Sequence, residues 1–368
     1  MDAFNSEYDI STFNSILDKR YSEFIFNKKE ENVPQAYVLG GQPGAGKTAL
    51  QKIFANKLQN NLIVINGDEF RALHPNFEKL QDLYGKDSVN YTGEFSSKMT
   101  EALIEKIKES KLNILVEGTL RTAQVPINTC NNFKEKGYTV TLAIMAVKPK
   151  ISYISTIMRY ELMIIEGSIP RATPKENHDR VVNSLPENLK EIFQSKKFDN
   201  IVIYNREGTC LYDMYRDQLD TPDIIMKEML FGQWSQNELN QFFDIGVLTQ
   251  QFMEKRNAPE LNNYKDTVFN ANILNELIKN NDLEVTEKIR NFFSDFNFNY
   301  KFTTDKHDKK FMYKLISSDI FEQNKVKFSG ICKYFNEGDK TILRYNPSDE
   351  EKISMTVDSV RHSKGAKR

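Results

Sequence analysis

Gly41-Gln42-Pro43-Gly44-Ala45-Gly46-Lys47-Thr48 places a lysine and a threonine behind spaced glycines, in the order G-x-x-x-x-G-K-T. Glycines let successive backbone N–H groups curl around a phosphate chain, the lysine reaches the outer phosphates, and the threonine hydroxyl can hold Mg²⁺ at a helix N-terminus that already favours anions. The apolar run Tyr37-Val38-Leu39 before the loop reads as a strand, and Ala49-Leu50-Gln51-Lys52-Ile53-Phe54 after it reads as a helix. That strand–loop–helix context is what a phosphate cradle requires. The eight residues 41–48 therefore predict binding of ATP or GTP with Mg²⁺ held at Thr48; the bland alternative is a glycine turn without a ligand.

A cradle alone does not separate a kinase from a motor or a switch, so the polar residues that follow the other strands carry the distinction. Asn66-Gly67-Asp68-Glu69-Phe70-Arg71 follows the apolar Leu62-Ile63-Val64-Ile65, which sets Asp68 on the rim shared with the glycine loop. Phosphoryl transfer needs a carboxylate that orients the attacking hydroxyl and positive charge around the migrating group. Asp68 suits the first role, with a helix cap or a Mg²⁺-side carboxylate as the alternative. Glu117-Gly118-Thr119 follows Asn113-Ile114-Leu115-Val116 in the same manner and suggests an acceptor site, unless Glu117 caps a turn and Arg121 is a surface charge. Arg159, on a helix, and Arg171, in the loop Gly167–Pro174, supply planar, permanently charged donors for a phosphoryl transition state; the alternative is ion pairing at the surface.

Positioning these residues calls for strands that end on one rim. From residue 35 onward strand-like and helix-like stretches alternate: strands near 36–39, 62–65, 113–116, 138–146 and 200–204, with helices near 93–110, 125–136, 150–166 and 186–195 between them. This order predicts an α/β fold, a P-loop kinase-like parallel sheet flanked by helices, with ligands at the carboxyl ends of the strands. Residues 1–33 carry an apolar beat at Ile10, Phe13, Ile16, Leu17, Tyr21 and Phe24 and predict an amphipathic helix packed on the domain 34–218. Residues 219–368 read as a mostly helical (α+β) accessory region: Thr221-Pro222 starts a helix, Ser235-Gln236-Asn237-Glu238 is a capping box, 273–278 and 285–293 are helical, and 326–335 with 340–345 form a hairpin before a basic tail at 361–368.

The chain has 368 residues, 39% of them hydrophobic, enough for a core in each of two domains. Its 50 basic and 51 acidic side chains nearly cancel, so no global field draws it to nucleic acid or to an anionic membrane. Cys130, Cys210 and Cys332 are scattered and odd in number, which argues against a disulfide framework or a zinc site and fits a reducing cytoplasm. No apolar run approaches the ~18 residues of a membrane span, and no secretory leader is visible.

Taken together, Gly41–Thr48, Asp68 with His74-Pro75, Met99-Thr100-Glu101-Ala102, Glu117-Gly118-Thr119 with Arg121-Thr122 and Val125-Pro126-Ile127, Arg159-Tyr160-Glu161, and Arg171-Ala172-Thr173-Pro174-Lys175 with His178-Asp179 resemble the zeta toxins of epsilon–zeta toxin–antitoxin systems. The resemblance covers roughly residues 10–215, leaving Gly85–Thr92 unmatched. It implies a kinase that moves the γ-phosphate of ATP or GTP to the sugar 3′-hydroxyl of UDP-N-acetylglucosamine and so starves cell-wall synthesis. It further implies that Lys47 and Thr48 serve the nucleotide and Mg²⁺, that Asp68 is the base, that Arg159 and Arg171 clamp the phosphate, and that Glu101, Glu117, Thr119, Arg121 and Thr129 line the UDP-sugar pocket. Glu101 and Thr129 rest on the resemblance alone. A small helical antitoxin would mask the nucleotide site, or the C-terminal half would act as an internal inhibitor. The other readings are a kinase of another small acceptor, such as a nucleoside, an antibiotic or a nucleic-acid end, and a nucleotide-dependent binding module without transferase activity.

Overall fold

The computed structural model describes residues 7–168, 170–295, 299–300, 312–337, 340–345, 351–353 and 355–356. These divide into two compact units, the first comprising residues 1–233 with 244–261 and the second 234–243 with 262–368. The stretch 244–261 thus belongs with the first unit although it lies beyond residue 218 in sequence.

In the first unit, α1 (Ile10–Ile25) precedes β1 (Gln35–Gly40), α2 (Thr48–Lys57) and β2 (Ile63–Ile65). A 3-10 turn, Gly67–Leu73, leads to α3 (Phe77–Tyr84) and the long α4 (Val89–Glu109). There follow β3 (Ile114–Glu117), α5 (Gln124–Lys134), β4 (Thr139–Met145), α6 (Pro149–Ile165), α7 (Lys175–Ser195), β5 (Asn200–Tyr204), β6 (Cys210–Asp213), α8 (Pro222–Phe231) and the later part of α9 (Gln236–Lys255), whose residues 236–243 belong to the second unit. The sheet order is β2-β3-β1-β4-β5-β6, and every pairing is parallel except that of β5 with β6. β1, β3 and β4 read as continuous apolar runs because helices cover both faces, so Ala36, Leu39, Ile114, Leu115, Leu142 and Ile144 are fully buried.

Register sets the rim. Leu39 pairs with Glu117 and Gly40 with Ile144, so the glycine loop leaves β1 level with the end of β3 on one side and β4 on the other. The N-terminal helix packs through part of its apolar beat, with Leu17 buried and Phe13 meeting Phe95 of α4 edge-on at 5.5 Å, whereas Ile10 is exposed; Tyr8, just before the helix, meets the same ring at 4.9 Å, and Asp18 pairs with Lys106 at 2.6 Å. His74, quoted above for its motif, is a core residue here, 5.1 Å from the same Phe95 ring. Just past the carboxyl end of β4, Lys148, itself buried, donates to the carbonyl of Gly232 at 2.9 Å and fixes the end of α8.

Two elements of this unit differ from expectation. The helix expected at 186–195 begins at Lys175 and carries Pro186 in its interior. Proline removes one backbone donor there, but Val181, Val182, Leu185, Leu189 and Ile192 all bury on one face and hold both halves of α7 in line. The edge strand β6 has no apolar alternation to announce it; it forms by pairing antiparallel with β5 across the turn at Gly208.

The second unit holds α10 (Leu261–Thr267), α11 (Ala271–Asn281), α12 (Glu287–Asp295) and β7 (Asn299–Tyr300). After them come β8 (Met312–Ser317), α13 (Ser318–Gln323), α14 (Lys325–Ser329), β9 (Cys332–Glu337) and β10 (Lys340–Tyr345). The capping box forms reciprocally, Ser235 N–H donating to the Glu238 carboxylate at 2.8 Å and Glu238 N–H to Ser235 Oγ at 3.3 Å. Phe242, Phe269, Phe292 and Phe293 form an aromatic core. The expected hairpin exists as β9 and β10, but residues 326–329, read as the start of a strand, lie in α14; Phe328 is buried on that turn. The basic tail at 361–368 lies outside the described residues. Among the described residues no helix is long and apolar enough to cross a membrane.

Leu142, fully buried in β4 between β1 and β5, anchors the sheet on which the rim depends. Leu142→Ala should cost about 2–5 kcal/mol of unfolding free energy, read as a lowered midpoint in urea at unchanged slope.

Candidate active site

The glycine loop is shaped by how closely it meets α6. Gly44 sits at φ +76°, and a Cβ there would lie 2.0 Å from the carbonyl oxygen of Ser152, so only glycine fits. Lys47, 9% exposed, folds back over the loop: its Nζ donates to Gly41 O at 3.2 Å and lies 3.5 Å from Glu117 Oε1. Gln51, one turn into α2, donates to the other Glu117 oxygen at 2.9 Å. Burial holds the Lys47 ammonium below the ordinary lysine value, and Glu117 opposes that shift. Thr48, the first residue of α2, is exposed, its hydroxyl open to a ligand.

Asp68 is placed by the 3-10 turn after β2, where the Asn66 side chain accepts from its N–H at 3.2 Å. Its carboxylate accepts from Arg71 Nε at 3.1 Å, while Arg71 Nη1 donates to Val89 O at 2.8 Å. Arg171 Nη1 reaches the Asp68 carbonyl at 3.3 Å, and Arg159 Nη2 reaches Thr173 Oγ1 on the same loop at 3.3 Å. The charges of Glu117, Arg159 and Asp68 all bear on Lys47. Crowding by surrounding protein and then the like charge of Arg171 lower the Arg159 pKa, with Asp68 and Glu117 opposing, although the residue keeps a solvent-exposed face. Two acids and three bases thus share one field. Beside them lies a cleft of about 310 Å³ whose lining includes Asp68, Arg71, Phe77, Val89, Thr92 and Arg171.

The structure therefore brings together Lys47, Asp68, Glu117, Arg159 and Arg171, with Thr119 two residues past Glu117 at the end of β3. Glu101 is exposed on α4, Arg121 is exposed after β3, and the Thr129 hydroxyl donates to Val125 O within α5 at 3.0 Å; among the described residues no hydrogen bond joins these three to the cluster.

Other neighbours were not singled out from the sequence. Arg71 follows Asp68 by one helical turn, a spacing that could have flagged it. Ser88, Val89 and Thr92, from the unmatched stretch, line the cleft. Arg206, just beyond β5, donates to Gly44 O, to Ala45 O at 3.4 Å and to Ser155 Oγ at 3.0 Å. The rule that found Asp68 and Glu117, polar residues immediately after a strand, applies equally to it. Arg256 left no local signal: it lies far along the chain from Glu161 of α6, yet holds that 1%-exposed carboxylate with two bonds of 2.6 and 2.8 Å. Those bonds raise the Arg256 pKa above the ordinary arginine value.

A parallel sheet with a phosphate-type loop at its switch point, a buried lysine and a facing carboxylate define a protein of the P-loop kinase class. Residues 19–217 match the family described as Zeta toxin. The toxin PezT of Streptococcus pneumoniae serotype 4 is 44% identical over 233 residues, 63% of this chain and 92% of that protein. Toxin zeta of Streptococcus pyogenes is 43% identical over 231 residues, 62% of this chain and 77% of its own length. A solved chain from the PezAT chromosomal toxin–antitoxin system of S. pneumoniae superposes with a TM-score of 0.63 at 39% identity, covering 67% of this chain and 99% of that one. The chain belongs to the zeta toxin family.

Removing Arg256 leaves a buried, uncompensated carboxylate, which costs more than the ion pair is worth. Arg256→Met should lower stability by about 3–5 kcal/mol, and adding Glu161→Gln should recover most of the loss; paired thermal melts check both.

Proposed function

We propose that this protein is a toxin kinase that transfers the γ-phosphate of ATP or GTP to the sugar 3′-hydroxyl of UDP-N-acetylglucosamine. The observation that carries the reading is the convergence of Lys47, Asp68, Glu117, Arg159 and Arg171 beside an open cleft, on the rim where the phosphate loop ends. Membership of a family whose relatives are named toxins supports a toxic role, and inhibition of cell-wall synthesis from within the cytoplasm is the form of it proposed.

The residues fit the nucleotide. Gly41, Gly44 and Gly46 all sit at positive φ, the curl a phosphate-binding backbone needs, and α2 presents its N-terminus and the exposed Thr48 hydroxyl at the end of that loop. Thr48 and the phosphates themselves would hold Mg²⁺, which supplies charge neutralisation between the outer phosphates when bound. Lys47, now shared between Gly41 O and Glu117, turns its ammonium to the transferring phosphate; its partial desolvation makes that charge count for more than in water. Asp68 accepts the proton of the sugar hydroxyl as its oxygen bonds to the γ-phosphorus, and the bond to the bridging oxygen breaks to release ADP or GDP. Arg159 and Arg171 offer donors to the equatorial oxygens. Glu117, Thr119, Glu101, Arg121 and Thr129 are proposed to contact the UDP-sugar. An antitoxin of the kind paired in the PezAT system is the proposed partner.

Purified protein given Mg²⁺-ATP and a panel of nucleotide sugars should add one phosphate to UDP-N-acetylglucosamine by mass spectrometry. Phosphate on a different acceptor overturns the substrate, and phosphate on none overturns the kinase. Asp68→Asn should slow transfer by about 10²- to 10⁴-fold, the range for a lost general base, with little change in nucleotide affinity measured by equilibrium titration.

A further inference from the structure

His178, on the first turns of α7, has no part in the chemistry above, yet its imidazole is fully buried against α6, the helix beneath the phosphate loop. Its Nε2 lies 2.8 Å from Ser152 Oγ on α6. The same hydroxyl oxygen accepts from Gln42 Nε2 of the glycine loop at 3.2 Å, and the other Gln42 amide hydrogen goes to Val147 O at 2.6 Å. His178, Ser152 and Gln42 are each 0% exposed. The Ser152 carbonyl is the one that excludes any side chain at Gly44, so Ser152 underlies the loop with both its backbone and its hydroxyl.

The tautomer follows from the neighbours. Nδ1 lies 3.0 Å from Asp179 Oδ1, and a carboxylate accepts only from N–H, so the proton sits on Nδ1. Nε2 then carries its lone pair, and the Ser152 hydroxyl hydrogen turns to it in preference to Pro149 O at 3.0 Å. A relay of fixed polarity runs from Asp179 through His178 and Ser152 to Gln42. An apolar trio would fill this space without a desolvation cost; hydrogen bonds differ from dispersion contacts in fixing direction.

The relay also ties down a second piece of the rim. The loop Arg171-Ala172-Thr173-Pro174 runs straight into α7, so the helix turn that holds His178 also holds the base of the loop whose Arg171 meets Asp68 O and whose Thr173 meets Arg159.

We propose that His178 is a positioning residue: through Ser152 it orients Gln42 and the floor of the phosphate loop, and by the same bond it locks the Arg171 loop in register with that floor. The transfer arm of the test rests on the kinase reading above; the binding arm does not.

The experiment compares the full chain with His178→Leu, His178→Gln, Ser152→Ala and the His178→Leu/Ser152→Ala double variant. Readouts are melting temperature, affinity for a fluorescent ATP analogue, and kcat and KM for transfer. His178→Leu and Ser152→Ala should each weaken nucleotide binding by about tenfold, near 1.4 kcal/mol, and lower kcat. The double variant should be no worse than the poorer single variant, because both cut one path. His178→Gln, which keeps an acceptor toward Ser152, should recover most of the affinity.

Acidity gives a readout that a purely structural histidine would not show. Burial, opposed by Asp179, holds the His178 pKa below its ordinary value. The groups that face the ring are Asp179 and Lys175 on α7 and Tyr153 on α6, whose ring centroid lies at 5.3 Å. The neutral-ring contribution is complete above the ordinary histidine pKa of about 6.5 and is lost as pH falls through the lower folded value, where Nε2 gains a proton and can no longer accept from Ser152. Nucleotide affinity should fall in that acid range in the parent chain and not in His178→Gln. The proposal is overturned if His178→Leu lowers only the melting temperature, or if the two single effects add. If the parent binds nucleotide and phosphorylates no acceptor, the kinase reading fails while the affinity arm still decides the role of His178. A parent chain that binds no nucleotide overturns both.

Discussion

The approach of the glycine loop to α6 is the constraint on which the site depends. A Cβ at Gly44 would collide with the Ser152 carbonyl, so the loop can sit this close to the helix only because it lacks one. Arg206 adds to that fixation, donating to the Gly44 and Ala45 carbonyls and to Ser155 Oγ of α6. The loop is thus held between a helix and the turn after β5, and α2 starts from a fixed point. Rigidity matters here because electrostatic catalysis works through groups that need no reorganisation when charge develops.

Charge is the second theme. Lys47 is buried beside Glu117, Arg159 lies near Arg171 as well as Asp68, and Arg71 spans from Asp68 to the start of α4. Like charges gathered in a crowded rim raise the free energy of the protein, a cost that any bound anion would offset. The buried Glu161 follows the opposite logic: it is compensated within the fold by Arg256, which leaves the helix bearing Arg159 with a fixed neighbour of its own.

The sheet and the five residues that share one field were legible in the sequence because their signals are local. A strand ending in a polar residue announces the rim, and register then does the rest, as Leu39 opposite Glu117 shows. What escaped was non-local or lacked a distinctive pattern. Arg256 finds Glu161 only after the chain has passed the family-matched residues. Ser152 looks like any core polar residue, and His178, quoted above only as part of a motif, carries no role until the fold joins both to Gln42. Strand β6 depends on pairing with β5 and not on its own composition, and α7 runs through Pro186 because burial on one face outweighs a missing donor. Residues 326–329 show the reverse error, the start of a stretch read as strand where Phe328 buries on a helical turn.

The two margins of the main sheet have a consequence for how other proteins meet this one. β2 contributes three residues and β6 four, so neither outer strand exposes a long row of free N–H and C=O groups. Short borders discourage polymerisation through sheet extension. They also give a masking protein little to gain from adding a strand of its own, which leaves helix faces and loops as the surfaces through which this unit can be gripped.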